Sequence, residues 1–291
     1  MFPFPAYALF AAIEWDRARN PFLMEFLNMA SERFDFACAL AEKAGELALE
    51  YFKRLDTLTI SEKGHQDLVS EADRDVETLI RAELAKAFPD DGIVGEEHEN
   101  VDGTTGYTWV IDPIDGTANF VAGIPQWCVI LACTFADETI IGVIRDPIAG
   151  ETFRAKRGAG AFVNNKPIRA SSTDTLARGS VGIGFNGRSK ATDAINAIGG
   201  LVSKGGVFFR NASGGLMLAY AASGRLIGYL ESHMHAWDCL AGMLIMREAG
   251  GKVAEFDGHS VLAKGTRVIV GAPGVFSDLK DIAEASFAPQ S

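Results

Sequence analysis

The run Trp109-Val110-Ile111-Asp112-Pro113-Ile114-Asp115-Gly116-Thr117-Ala118-Asn119-Phe120 restricts what this chain can fold into more than any other stretch. Three apolar residues lead in and read as a buried strand. Pro113 then fixes its own φ, has no N–H to give a ladder, and biases Asp112 toward extended geometry. The chain must leave the strand sharply there, which brings the Asp112 and Asp115 carboxylates and the Ile114 carbonyl toward one point. These are hard oxygen donors of the kind that suit Mg²⁺. Gly116 lets the backbone approach closely, and the N–H groups after it, opening a helix, make an anion site. Asp-Pro turns and Asp caps are common on their own. The apolar lead-in and the Gly-Thr exit turn the pair into a site for metal beside anion, which points to phosphate chemistry.

Charge agrees with that direction. The 291 residues carry a formal net charge of −11, and no basic stripe is evident, so nucleic acid is not expected as a main ligand. An acidic chain with an anionic substrate needs local cations, and a carboxylate cluster holding Mg²⁺ supplies them. Cys38, Cys128, Cys133 and Cys239 form no C-x-x-C pair and sit in apolar surroundings, reading as reduced core thiols. The five histidines show no H-E-x-x-H pattern, so zinc is not expected; His233 and His235 would share a face on a strand but not on a helix. Residues 1–30 are apolar and aromatic but interrupted by Glu14, Asp16, Arg17 and Arg19, fitting neither a signal peptide nor a membrane span. We read them as an N-terminal appendage to a cytoplasmic enzyme, with regular helical patterning starting near Ser31.

Periodicity divides the rest into residues 31–172 and 173–291. In the first part, Phe36, Leu40, Ala44, Leu47 and Tyr51 predict a helix to Phe52, and Lys63 to Leu68 reads as a polar loop. Ser70 caps a second helix to Phe88, with Asp73 placed to close a capping box. Ile93-Val94 is a short strand ending in Gly95-Glu96-Glu97. Val129–Phe135 and Thr139–Ile144 form a hairpin, followed by strands at Glu151–Ala155 and Ala161–Val163 with an Asn164-Asn165 turn. In the second part, strands at Val181–Phe185, Val207–Arg210, Leu226–Glu231 and Arg267–Val270 alternate with helices at Lys190–Ser203, Gly215–Ala222 and Ala236–Gly250, and a final helix follows. An antiparallel first half followed by an α/β half, without a linker, predicts halves sharing a core.

Two further segments bear on the site. Glu96 or Glu97, at a strand end shortly before Asp112, offers another acidic ligand or a base. Asp238 lies in the first turn of the helix opened by His235-Ala236-Trp237, where the helix dipole favours a carboxylate. G-E-E (Gly95–Glu97), the Trp109–Phe120 run, W-D-x-x-A-G…E-A-G-G (Trp237–Gly251) and the segment Arg145–Ile168 together resemble the motifs of the inositol monophosphatase family. The resemblance runs in the same order from about Ser31 to the C-terminus. It implies an α+β, α/β layered αβαβα sandwich and a homodimer. The implied activity is lithium-sensitive, Mg²⁺-dependent hydrolysis of phosphate monoesters with two or three ions. Carried over residue by residue, Glu96, Asp112, the Ile114 carbonyl, Asp115 and Asp238 would ligate metal. Glu96 and Thr117 would position water, and the Gly116 and Thr117 amides would hold phosphate. Asp73 would sit near a further metal with Lys63 nearby, and Glu231 and Asp238 would meet substrate. Ser213-Gly214-Gly215 replaces the family's Gly-Thr-Ala-like turn, leaving specificity open between inositol-1-phosphate, histidinol phosphate and other sugar or nucleotide phosphates. Some members resembling this chain also act through the RNA synthesis machinery, so a regulatory binding role is the expectation from another class.

Overall fold

The computed structural model describes residues 21–57, 60–64, 67–187 and 189–287, and side chains at 29–56 and from 70 onward within that set. Residues 1–20 of the appendage, the Lys63 side chain and Arg188 lie outside the described residues. Helix α1 (Pro21–Phe52) begins ten residues before the Ser31 start that periodicity marked. Its most buried stripe is Ala37, Leu40, Ala41, Ala44 and Ala48, small residues that let it lie close on a sheet. β1 (Ile60–Gly64) and β2 (Asp67–Ser70) pair antiparallel, so the described residues of the stretch read as a loop lie in strands. Polar character hid the strands, because the apolar alternation that marks a strand is absent there. α2 (Glu71–Ala87) starts on the predicted capping box: the Ser70 side chain accepts from Ala72 N, and Asp73 accepts from Ser70 N.

β3 (Gly92–Gly95), β4 (Tyr107–Asp115), the single-turn α3 (Thr117–Val121), β5 (Cys128–Phe135), β6 (Glu138–Asp146), β7 (Glu151–Lys156), β8 (Ala161–Val163) and β9 (Lys166–Pro167) follow. All but α3 join one seven-stranded sheet in sequence order, parallel at β3–β4 and antiparallel beyond. β10 (Ser180–Ile183), α4 (Ala191–Ser203), β11 (Val207–Phe209), α5 (Gly214–Ala222), β12 (Gly228–Met234) and α6 (Ala236–Glu248) come next. β13 (Lys252–Val253), α7 (Gly258–Lys264), β14 (Thr266–Gly271) and α8 (Phe276–Ser286) complete the chain. The second sheet has the order β11-β10-β12-β14-β13, parallel over its first three strands.

Alternation along the strands explains the layers. Trp109, Ile111, Val129, Leu131, Ile141 and Val143 bury one face of the large sheet against α1 and α2. Val110, Ile130, Ala132, Ile144 and Phe153 bury the other face against α5 and α6, whose far sides meet Tyr229, Val268 and Val270 of the second sheet. Val181, Ile183, Leu230 and Ile269 then pack on α4 and α8. The result is a helix–sheet–helix–sheet–helix sandwich, and the middle cluster draws on both halves of the chain. Strands buried on both faces read as nearly continuous apolar runs, as in C-V-I-L-A-C-T-F. Cys128, Cys133 and Cys239 are buried free thiols and Cys38 is a half-buried one. Among the described residues no helix is long and apolar enough to cross a membrane.

Candidate metal centre

The sequence has the chain leave the strand at Pro113, but β4 continues past it to Asp115, because an irregularity in the ladder accommodates the proline. The register with β5 runs evenly to Asp112 and slips before Asp115, an irregularity that holds Pro113 and Ile114. Asp112 Oδ1 accepts from Ile114 N at 3.0 Å, closing the turn. Gly116 follows at φ 95°, a left-handed position where a side chain is strained. A Cβ there would also meet Gln126 O at 3.1 Å and Ser213 Cβ at 3.3 Å. Asn119 fastens the new helix by donating from Nδ2 to Gln126 O and to Asn211 O, both at 2.7 Å.

The structure brings Asp112, Asp115 and Asp238 together, with one carboxylate oxygen of each within 4.8 Å of the others. Asp238 reaches the point from the first turn of α6, where it also accepts from His235 N at 3.1 Å. Asp112 is 1% exposed. Burial, then the charges of Glu96, Asp115 and Asp238, push its carboxyl well above the usual range. Burial also raises Asp115, against hydrogen bonds that favour its charge. Those bonds come from Ser213 Oγ, Gly215 N at 2.7 Å and Gly214 N at 3.2 Å. The Ser213-Gly214-Gly215 turn thus holds Asp115 at the head of α5, a contact the motif reading did not foresee. Ser213 and Gly214 still line the adjoining cleft.

Oxygen donors converge in a buried place where each carboxylate disfavours its neighbours' charge. This donor set fits a hard divalent cation, which would relieve the repulsion. Glu96 lines the same cleft, outside the close trio but near enough to act on Asp112. Ile114 also lines it, and its carbonyl lies 3.1 Å from Thr117 Oγ1, as an alternative to Asp73 for the single hydroxyl proton. Thr117 Oγ1 lies 3.2 Å from Asp73 Oδ1, and Asp73 Oδ2 takes Ser70 N at 2.8 Å and Ser70 Oγ at 2.6 Å. Asp73 is fully buried behind Thr117 and outside the cleft lining.

The cleft has a volume of about 150 Å³. Glu231 stands on its far wall, accepting from Tyr229 Oη and from Asn186 Nδ2 at 2.8 Å; burial foremost pushes its carboxyl up to about 7. Arg210, at the mouth, donates to Phe185 O at 3.0 Å. The sequence reading passed over Arg210; a lone cation directly after the short V-F-F strand was its only signal. It also passed over Glu77, buried in α2, which accepts Glu97 N at 2.8 Å, His98 N at 3.3 Å and Arg81 Nε at 2.7 Å. A Cβ on Gly95 would lie 2.2 Å from Glu77 Oε1, so the glycine gives that carboxylate room beneath the Glu96 loop.

Fold and site together define a layered αβ protein in which the end of a strand and the first turn of a helix bring together three carboxylates that could hold a metal ion. The chain belongs to the inositol monophosphatase family, whose model matches residues 29–287. The Nus factor SuhB of Pseudomonas aeruginosa is 37% identical over 253 residues, covering 84% of this chain and 93% of that protein. The inositol-1-monophosphatase of Rhizobium meliloti is 35% identical over 243 residues, covering 82% and 91%. The crystal structure of the extragenic suppressor protein suhB from Bartonella henselae matches with a TM-score of 0.80 at 33% identity, covering 84% and 96%.

Proposed function

We propose that this protein is a Mg²⁺-dependent phosphate monoester hydrolase acting on inositol-1-phosphate or a similar phosphorylated polyol. The carrying observation is the trio of buried Asp112 and Asp115 and half-buried Asp238, lining one cleft together with Gly116 and Thr117. Asp112, Asp115, Asp238, Glu96 and the Ile114 carbonyl would hold the metal. Mg²⁺ bound there supplies Lewis-acid stabilisation of the phosphoryl group and activation of water, an effect large enough for one of the slowest uncatalysed hydrolyses. The chain's own residues do the positioning. Asp73 orients the Thr117 hydroxyl, which with Glu96 places the attacking water. The Gly116 and Thr117 amides face the phosphate, and Glu231, held by Tyr229 and Asn186, meets the hydroxyls of the leaving alcohol. A turnover panel of inositol-1-phosphate, histidinol phosphate, a sugar phosphate and a nucleotide 3′-phosphate, each with Mg²⁺ and with chelator, tests the reading. Chelator-insensitive turnover, or none on any ester, overturns it.

A second reading is supported by the name Nus factor SuhB among the relatives: a regulatory partner of the RNA synthesis machinery. A cellular phenotype that survives Asp112→Asn favours this role, and one that disappears with the metal ligand favours catalysis.

A further inference from the structure

On the α1 face of the large sheet, away from the acidic cleft, lies a second cavity of about 230 Å³ lined by Glu42, Arg145, Gly150, Thr152, Arg154, Asn164 and Asn165. Arg145 of β6 stands opposite Thr152 of β7, and Arg154 is two residues further along the same strand. Residues in that relation project from one face of the sheet about 7–8 Å apart diagonally. Lys156 continues the row and donates to Ser31 Oγ at 2.8 Å. A row of three cations is out of keeping with a chain of net charge −11. Among the described residues neither Arg145 nor Arg154 has a carboxylate within the 4.0 Å of an ion pair.

The guanidinium groups are held by neutral partners. Arg145 Nη1 donates to Thr152 Oγ1 at 3.1 Å, and Arg154 Nη2 to Asn165 Oδ1 at 3.1 Å. Their Nε–H groups are buried and meet no acceptor. A buried donor without an acceptor is unfavourable, and two on like charges more so. Helix α1 also makes room for one of them: a Cβ on Gly45 would lie 2.9 Å from Arg145 Cγ and 3.6 Å from its Nε. Glycine inside a helix is unfavourable by about 1 kcal/mol relative to alanine, and here its bare face lets the arginine lie across the helix.

We propose that Arg145 and Arg154 form a second, phosphate-class anion site on this face, distinct from the metal centre. Guanidinium forks match the geometry of phosphate oxygens. The Asn164 and Asn165 amides stand at the rim, and the exposed Glu42 carboxylate also lines the cavity, where its charge opposes anion binding. The proposal does not rest on the hydrolase reading. A free phosphate ion and a phosphate monoester share the required chemistry.

The test uses the full chain with chelator present, so that the acidic centre holds no metal. Calorimetric titration measures binding of inorganic phosphate and, separately, of glycerol phosphate, with chloride at matched ionic strength as reference. Arg145→Gln, Arg154→Gln, Gly45→Ala and Asp112→Asn are compared with the unaltered chain. Saturable phosphate binding is expected, weakened about tenfold or more by each arginine variant, weakened also by Gly45→Ala, and kept by Asp112→Asn. Equal binding of both ligands assigns the site to the free ion, and tighter ester binding assigns it to an ester; either upholds it. No binding, an effect that chloride reproduces, or binding indifferent to both arginine variants overturns it. Circular dichroism confirms that each variant is folded. Arg154→Lys, which keeps charge and loses the fork, provides a milder arm that should bind measurably more weakly.

Discussion

Asp112 shows how much of the site's behaviour belongs to single residues. It is buried beside two other carboxylates, and its charged form is disfavoured by burial first and by Glu96 next. Asp112→Asn removes that charge, so the metal-free protein should keep or raise its Tm. Mg²⁺-dependent phosphate release should fall about 10²–10³-fold, the scale of losing one contact to developing charge. Melting curves and a phosphate assay read the two effects, and activity near that of the unaltered chain would refute the metal role. Glu231 gives the pH dependence. Its folded pKa of about 7 lies above its ordinary 4.5, so the folded state holds the proton more tightly. That contribution is complete below about 4.5 and is lost as pH rises through about 7. Metal-free melting temperature should therefore fall across this window, and Glu231→Gln should flatten the fall. An unchanged slope in the variant counts against this account.

At the scale of elements, the centre is assembled from ends: the end of β4, the first turn of α6, the head of α5 and the loop after β3. Three of these were visible locally: Pro113 and Gly116 mark the end of β4, Asp238 the first turn of α6, and Gly95-Glu96-Glu97 the end of β3. What holds the loop after β3 was not visible. Glu77 reads as one more polar residue of an amphipathic helix, and only folding shows it turned inward to take the Glu97 and His98 amides. Glu77→Ala should leave those amides unmet and loosen Glu96. The expected loss is about 10–100-fold in Mg²⁺ affinity or activity, typical of residues that orient ligands, read as a higher Mg²⁺ requirement in an activity titration. A variant with the same Mg²⁺ requirement as the unaltered chain would show that the loop is held by other means.

For the whole molecule, the spacing between the large sheet and the helix layer packed on it sets the centre, because Asp112 lies on β4 and Asp238 on α6. The contact that fixes the spacing is Gly142 of β6 against α6: a Cβ there would sit 2.6 Å from Ala241 O. Gly142→Val should lift α6, lowering stability by about 1–3 kcal/mol as overpacking does, and should weaken Mg²⁺ binding by moving Asp238. Urea unfolding and metal titration on one sample separate these effects, and loss of stability with unchanged metal affinity would show that the spacing is set elsewhere. The order of strands and helices in the two halves was legible from apolar patterning, while the layered sandwich was expected only from the family resemblance, and the core that both halves share is seen in the fold. The motif residues were legible because turns and caps demand particular residue types at short range. The pairing of β1 with β2, the inward Glu77, the grip of Ser213 and its neighbours on Asp115, and the pairing of Arg145 with Arg154 across β6 and β7 were not. Each depends on residues distant in the chain meeting at a distance no local pattern encodes. Local stereochemistry therefore specified the elements and the ligand types, while close packing between layers settled which groups touch, how strongly their charges interact, and where an anion or a cation finds its partners.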